Sequence, residues 1–215
     1  MTHLDPRGAA VVERDPAFAL IAASSGPLPR LRPAPVGERF GALARSITHQ
    51  LLATAAAATI HGRVVRACGG QVTVQSVLAT PLADLRAAGL SRVKAEAIKE
   101  LAASVVDGRV RPDRHGRLDD HAVVSEVTAV RGIGPWTAHM YLLFTLGRRD
   151  VWPTGDYGVR VGWSRIHDLS ETISERDLRT HGDQFGGLRS DVALYCWRAV
   201  DGPATSPVAS SPWPS

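Results

Sequence analysis

An aspartate that follows a proline and a glycine and opens a helical stretch is placed to do chemistry. In Val151-Trp152-Pro153-Thr154-Gly155-Asp156-Tyr157-Gly158-Val159-Arg160, Pro153 and Gly155 shape a turn and Asp156 begins the next helix. The positive end of a helix dipole stabilises an anion there. A carboxylate fixed at such a point can hold a developing cation, such as the sugar of an opening N-glycosidic bond. It can also orient or activate an attacking water. An ordinary helix cap uses the same residue at the same place, so Asp156 alone leaves both readings open.

Upstream of it, Gly132-Ile133-Gly134 lies between two helical segments, and Pro135 is the first residue of the second. Glycines permit a tight turn, and proline at a first helical position gives up no helical hydrogen bond. The amides of such a turn, with the helix dipole behind them, can bind a phosphate without any side chain. A contact of that kind positions a nucleic acid but reads no base sequence. A plain corner between two helices has the same residues.

The elements that must carry these groups read as helices. Asp15-Pro16 signals a short helix, and the rest of residues 1–36, rich in Pro and Gly, reads as an extended lead-in. Residues 38–66 are Ala/Leu-rich and predict two helices broken near Gln50-Leu51-Leu52, closed by Gly69-Gly70. Thr80 is predicted to cap a helix that Gly89 stops, and Ser91 to cap another running to about Val106. Residues 107–118 are a polar loop, and Asp119 or Asp120 caps a helix through Ala129. Helices follow from Trp136 to about Leu146 and over 156–166, 174–184 and 189–200. The tail from Gly202, rich in Pro and Ser, is expected to be disordered.

Composition narrows the class. The 215 residues carry a net charge of +4, with only Lys94 and Lys99 as lysines among 25 basic residues. Arginine suits phosphate contacts. Two cysteines, Cys68 and Cys196, are too few for a disulfide framework or a four-thiolate cluster. The N-terminus has no apolar signal core and no apolar run approaches a membrane span, so a cytoplasmic location is expected. His49, His61, His121 and His139 show no metal-ligand spacing with carboxylates and read as surface or satisfied side chains.

Taken together, these segments resemble the helix-hairpin-helix (HhH-GPD) base-excision DNA glycosylases, most closely the DNA-3-methyladenine glycosylase II branch. The resemblance is carried by Arg131-Gly132-Ile133-Gly134-Pro135-Trp136-Thr137-Ala138, by Asp156-Tyr157-Gly158-Val159-Arg160 twenty residues after Trp136, and by Ala44-Arg45-Ser46-Ile47-Thr48-His49-Gln50-Leu51-Leu52-Ala53. Residues 85–95 and Arg189-Ser190 with Tyr195-Cys196-Trp197 complete it, so that it covers roughly 38–200.

The resemblance implies an all-α, two-lobed helical fold, with the hairpin and Asp156 at the cleft between lobes. Residues 1–36 are then an N-terminal extension partly packed on the core, since the larger bacterial members' β-rich lobe has no room here. Residues 37–201 are the helical domain and 202–215 a tail. It implies Asp156 as the catalytic aspartate and Trp136 and Trp197 as aromatic walls of the base pocket, joined by Met140, where relatives can carry another aromatic, and by Tyr157. Gly132 and Gly134, with Arg131, would contact DNA. Leu51 would wedge into the duplex, with Gln50 beside it. The carbonyls of Thr128, Val130 and Ile133 would hold a structural Na+ or K+, with no cofactor required.

An electron-rich indole face attracts a cationic alkylated purine, and a damaged base leaves the stack more readily than a sound one. Position 136 would be a lysine in relatives that cut the backbone through a Schiff base; here it is Trp136, so hydrolysis alone is expected. The absence of a cysteine cluster after Trp197 speaks against an iron–sulfur centre. The expected partner is duplex DNA containing damaged bases, bound by a monomer. The expected lesions are purines of the 3-methyladenine and 7-methylguanine type. A glycosylase for a deaminated or oxidised base, and a DNA-binding relative without catalysis, stay open as alternatives, although Asp156 argues against the latter.

Overall fold

A computed structural model describes residues 4–52 and 54–201, so the expected tail at 202–215 lies outside it. Every regular element among the described residues is helical. The chain divides into two compact units, Arg32–Gly147 and Met1–Leu31 with Arg148–Ser215.

The first unit contains α3 (Arg39–His49), α4 (Thr54–Ala67), α5 (Val74–Ala79), α6 (Leu82–Ala87), α7 (Arg92–Val106), α8 (Asp120–Thr128) and α9 (Pro135–Met140). Helix α3 buries Phe40, Leu43, Ala44 and Ile47, and α7 buries Ala95, Ile98, Leu101 and Ala102. Both sets recur every three to four residues, the spacing of one helix face. Starts are set by local chemistry. Ser91 accepts from the Lys94 amide at 3.3 Å, and Asp119 from the Ala122 amide at 2.7 Å. Helix α4 ends where Gly70, at φ +100, donates its amide to the Val65 carbonyl. A π-helical turn, Tyr141–Thr145, continues α9, so the helix expected to run to about Leu146 changes winding after Met140.

Two expectations for this unit need correcting. The sequence reading places no helix between Gly70 and Thr80, yet α5 forms there, opened by a reciprocal Thr73–Ser76 capping box. Thr80 does not cap α6, because its hydroxyl is spent on the Ser76 carbonyl at 2.8 Å and Pro81 occupies the cap position.

The unit also contains a buried polar group. His115, fully buried, bonds the Tyr141 hydroxyl at 2.9 Å through Nδ1 and Glu126 at 2.7 Å through Nε2. Burial lowers its pKa against the opposing pull of Glu126. On α3 and α4, His49 and His61 have ring centroids 6.2 Å apart. Burial, followed by neighbouring positive charge, lowers His61 to about 4, and burial likewise lowers His49. All three histidines take up protons in the unfolded chain near pH 6.5 but only at lower pH when folded. Their contribution to stability is therefore complete above about pH 6.5 and is lost as pH falls toward their folded values. Thermal unfolding followed by circular dichroism between pH 7.5 and 5 should show the midpoint falling with pH. A midpoint that stays level or rises on acidification contradicts this account.

The second unit holds α1 (Pro6–Arg14), α2 (Ala19–Ser24), α10 (Tyr157–Ile166), α11 (Glu175–Thr180) and α12 (Arg189–Asp201). Its core is aromatic. Phe18 meets Trp163, Phe185 and Tyr195 at centroid distances of 5.8, 5.9 and 6.3 Å. The expected start at Asp15-Pro16 is present, with Asp15 accepting from the Ala17 amide. Residues 6–14 are helical, however, rather than extended: Asp5-Pro6 repeats the same cap-and-proline signal and Val11 is fully buried. The N-terminal segment is tied into the unit by charge as well. Arg7 reaches the buried Asp191 at 3.1 Å and also donates to the Leu28 and Pro29 carbonyls. Arg198 donates to Ser25 and to the carbonyls of Gly26 and Pro27.

Candidate functional site

The carboxylate of Asp156 is fixed from two directions. Asp156 is the N-cap of α10, in extended conformation, and its Oδ1 accepts from the Val159 amide at 2.8 Å. The same oxygen accepts from the indole Nε1 of Trp197 on α12 at 2.9 Å. The first bond is local and follows from the sequence. The second spans 41 residues and follows from how α10 and α12 pack. That packing is very close: a Cβ on Gly162 would lie 1.9 Å from the Cys196 carbonyl oxygen. Gly158, one turn nearer to Asp156, leaves room for the pair. A Cβ there would stand 3.0 Å from Trp197 Cδ1 and 3.1 Å from Asp156 Oδ1. Cys196 is fully buried, and its thiol is pushed up by that burial and then by the Asp156 charge.

Tyr157 and Arg160 lie beside this pair on the outside of α10. Tyr157 is 66% exposed, with the Arg160 guanidinium 5.5 Å from its ring centroid. Arg160 also donates to the Ile173 carbonyl at 3.3 Å. Trp197 is only 7% exposed. Of the residues singled out from the sequence in this unit, Asp156 and Trp197 are thus brought into direct contact, while Tyr157 projects outward.

In the other unit, the hairpin and the loop after α3 form a second constellation. Gly132 has φ +92, and a Cβ there would come within 2.6 Å of Ala97 Cβ, so this glycine is required on both counts. Gly134 differs: its φ of −97 is ordinary for any residue, and a Cβ would meet nothing within 4 Å. Its value is the open space beside the amides at the start of α9. Arg131 is exposed, Trp136 half-buried on the second residue of α9, and Met140 buried one turn later.

Leu51 is fully exposed and sits at φ +54, a conformation that leucine rarely adopts. The loop that carries it is braced on both sides. Lys94 Nζ donates to the carbonyls of Thr48 and Gln50 at 2.9 and 2.6 Å. Gln50 Nε2 donates to the Gly132 carbonyl at 3.0 Å and the Thr137 hydroxyl at 2.8 Å. Sequence reasoning placed Gln50 beside Leu51 but not its amide on the hairpin, and it missed Lys94 and Thr137 altogether. No local signal marks these contacts. The Gly158/Gly162 spacing, by contrast, was a readable sign that another helix approaches that face of α10 closely.

Thr128 ends α8, and Val130 and Ile133 lie in the turn that follows, closed by a 3.0 Å bond from the Ile133 amide to the Val130 carbonyl. A carbonyl has two lone pairs, so that bond leaves Val130 able to make a further contact. Among the described residues no group of three or more His, Cys, Asp or Glu side chains is arranged to hold a metal, and no helix is long and apolar enough to cross a membrane.

Known proteins resemble this chain in sequence and fold. DNA-3-methyladenine glycosylase 1 of Schizosaccharomyces pombe is 27% identical over 164 residues, spanning 75% of this chain and 72% of that protein. A solved structure of the S. pombe 3-methyladenine DNA glycosylase in complex with abasic DNA superposes with a TM-score of 0.83 at 25% identity, covering 90% of this chain and 96% of that one. The crystal structure of a DNA-3-methyladenine glycosidase from Bacillus halodurans gives a TM-score of 0.79 at 30% identity, covering 93% of this chain and 91% of that one. The HhH-GPD family pattern itself spans residues 44–185, from the helix before the Leu51 loop through the hairpin and Asp156. With hairpin, braced loop and capped carboxylate all inside that span, the chain belongs to the HhH-GPD superfamily of base excision DNA repair proteins.

Proposed function

We propose that this protein is a monofunctional DNA glycosylase that hydrolyses the N-glycosidic bond of alkylated purines in duplex DNA. The observation that carries this reading is the Asp156 carboxylate, held at the tip of α10 by the Val159 amide and the Trp197 indole. An alkylated purine with a positive charge is already a good leaving group. What the protein must supply is an anion beside the sugar as positive charge moves onto it. Asp156 takes that role, and it orients or activates the water that adds to the sugar. The products are a free base and an abasic site.

The hairpin grips a phosphate through the amides of Gly134 and of Trp136 and Thr137 in the first turn of α9, with Arg131 beside them. The open space at Gly134 supports close approach of a strand. Leu51 fills the gap that the extruded base leaves. Its full exposure at a strained backbone conformation supports this role, since such strain is retained where it is used. Trp136 offers an aromatic face and no amine, so no Schiff base forms at that position. The carbonyls of Thr128, Val130 and Ile133 suit a Na+ or K+, a neutral oxygen set matched to a singly charged ion, which would add positive charge near the phosphate.

The deciding assay incubates the protein with methylated duplex DNA and measures free 3-methyladenine and 7-methylguanine. Release without strand cleavage in the absence of alkali is expected. Tight binding with no release from any lesion substrate refutes the enzyme reading, and cleavage without alkali refutes the monofunctional one. A further expectation concerns Gln50. Replacing it with Leu removes the donor to the Gly132 carbonyl and the Thr137 hydroxyl, at a cost of about 1 kcal/mol in stability. Duplex affinity should fall several-fold in fluorescence anisotropy, because the hairpin loses its brace. If affinity and stability both match the wild type, the brace has no functional weight.

A further inference from the structure

We propose that Trp197 is a positioning residue that acts on the reaction through its indole N–H, which fixes the Asp156 carboxylate. The proposal rests on the reading of Asp156 given above. An aromatic wall acts by its ring face, yet Trp197 is 7% exposed and directs its one polar atom at Asp156 Oδ1 from 2.9 Å. A buried indole N–H is nearly always paired, and here its acceptor is a carboxylate, the stronger class of partner.

The fold is shaped to make that pair. Gly162 lets α10 lie against the Cys196 backbone, one residue before Trp197, and Gly158 clears the space that the indole edge and the carboxylate occupy. With Val159 and Trp197 both donating to Oδ1, the carboxylate is held against rotation about its side-chain bonds. It therefore meets the developing sugar cation without first reorganising, which is where electrostatic catalysis gains most.

The test is a double-mutant cycle read by single-turnover base release. Trp197→Phe keeps an aromatic ring and removes the donor. Release should slow by about 10- to 100-fold, the range for a hydrogen bond to a charged group, with duplex affinity unchanged. In an Asp156→Asn background, adding Trp197→Phe should cost little more, because the residue acts only through that carboxylate. Full activity of Trp197→Phe, or losses that multiply in the double variant, overturn the proposal. If Trp197→Phe does not fold, Gly158→Ala serves in its place. Its methyl crowds the indole edge and Oδ1 while leaving both groups present, and it should slow release in the same way; a wild-type rate overturns the proposal.

A second readout does not depend on excision. The Trp197 indole N–H resonance in the DNA-free protein should move more in Asp156→Ala than any other indole resonance. An unmoved signal overturns the proposal. If the wild type releases no base yet this resonance moves as expected, the glycosylase reading has failed while the indole–carboxylate pair stands.

Discussion

Asp156→Asn is expected to slow base release by about 10²- to 10³-fold while leaving duplex affinity and fold intact. The substitution removes the charge and little else. An amide oxygen can still accept from the Val159 amide and the Trp197 indole, the two donors that hold Oδ1, so α10 keeps its cap. What is lost is the attraction between a fixed anion and a sugar becoming cationic. The loss should be graded by substrate. A purine methylated at N7 or N3 leaves with its own charge neutralised and needs less help, so its release should suffer least. An uncharged base in the same site should suffer more. Single-turnover release from duplexes carrying each kind of base measures both effects. Rates within about threefold of wild type on every substrate would remove Asp156 from the chemistry.

The second large effect is expected at a buried glycine. Gly162→Ala in the middle of a helix would ordinarily stabilise by about 1 kcal/mol through helix propensity. Here the added Cβ would fall 1.9 Å from the carbonyl oxygen, 2.4 Å from the carbonyl carbon and 2.7 Å from the Cα of Cys196. All three are backbone atoms of α12, so no side chain can turn aside. The helices must separate, and the surrounding core, with Trp163, Val192 and Tyr195 buried around the seam, must open with them. Overpacking of this kind costs about 1–3 kcal/mol where side chains can adjust, and a backbone clash should reach or exceed the upper end. Urea unfolding should show a markedly lower midpoint, and base release should drop because Trp197 is carried away from Asp156. A variant as stable as wild type would mean that α10 and α12 do not pack as described.

These two variants probe different links of one chain of cause. Gly162 sets the distance between two helices, that distance puts an indole against a carboxylate, and that carboxylate is the group the proposed function makes catalytic. The braced Leu51 loop has the same logic. Lys94 and Gln50 make no claim on chemistry of their own, but between them they hold α3's end, the exposed leucine and the hairpin in register.

What the sequence determined by itself lies within a few residues, although not every local signal was legible: the Thr73–Ser76 box and the Asp5-Pro6 start are as local as the rest. Asp156 at the start of α10, Ser91 and the Asp119-Asp120 pair at helix starts, the reversals at Gly69-Gly70 and Gly132 and the break near Gln50-Leu51-Leu52 all depend on backbone geometry and on donors one turn away. The family signature was legible for the same reason, since it is written in short runs around those turns. Tertiary structure alone decided what the side chains of Trp197, Gln50, Lys94 and Arg7 do. Each satisfies its polar group with a partner distant in sequence, 41, 82, 44 and 184 residues away respectively. A residue type announces that it has a hydrogen bond to give; only the packing of helices determines which acceptor is within reach.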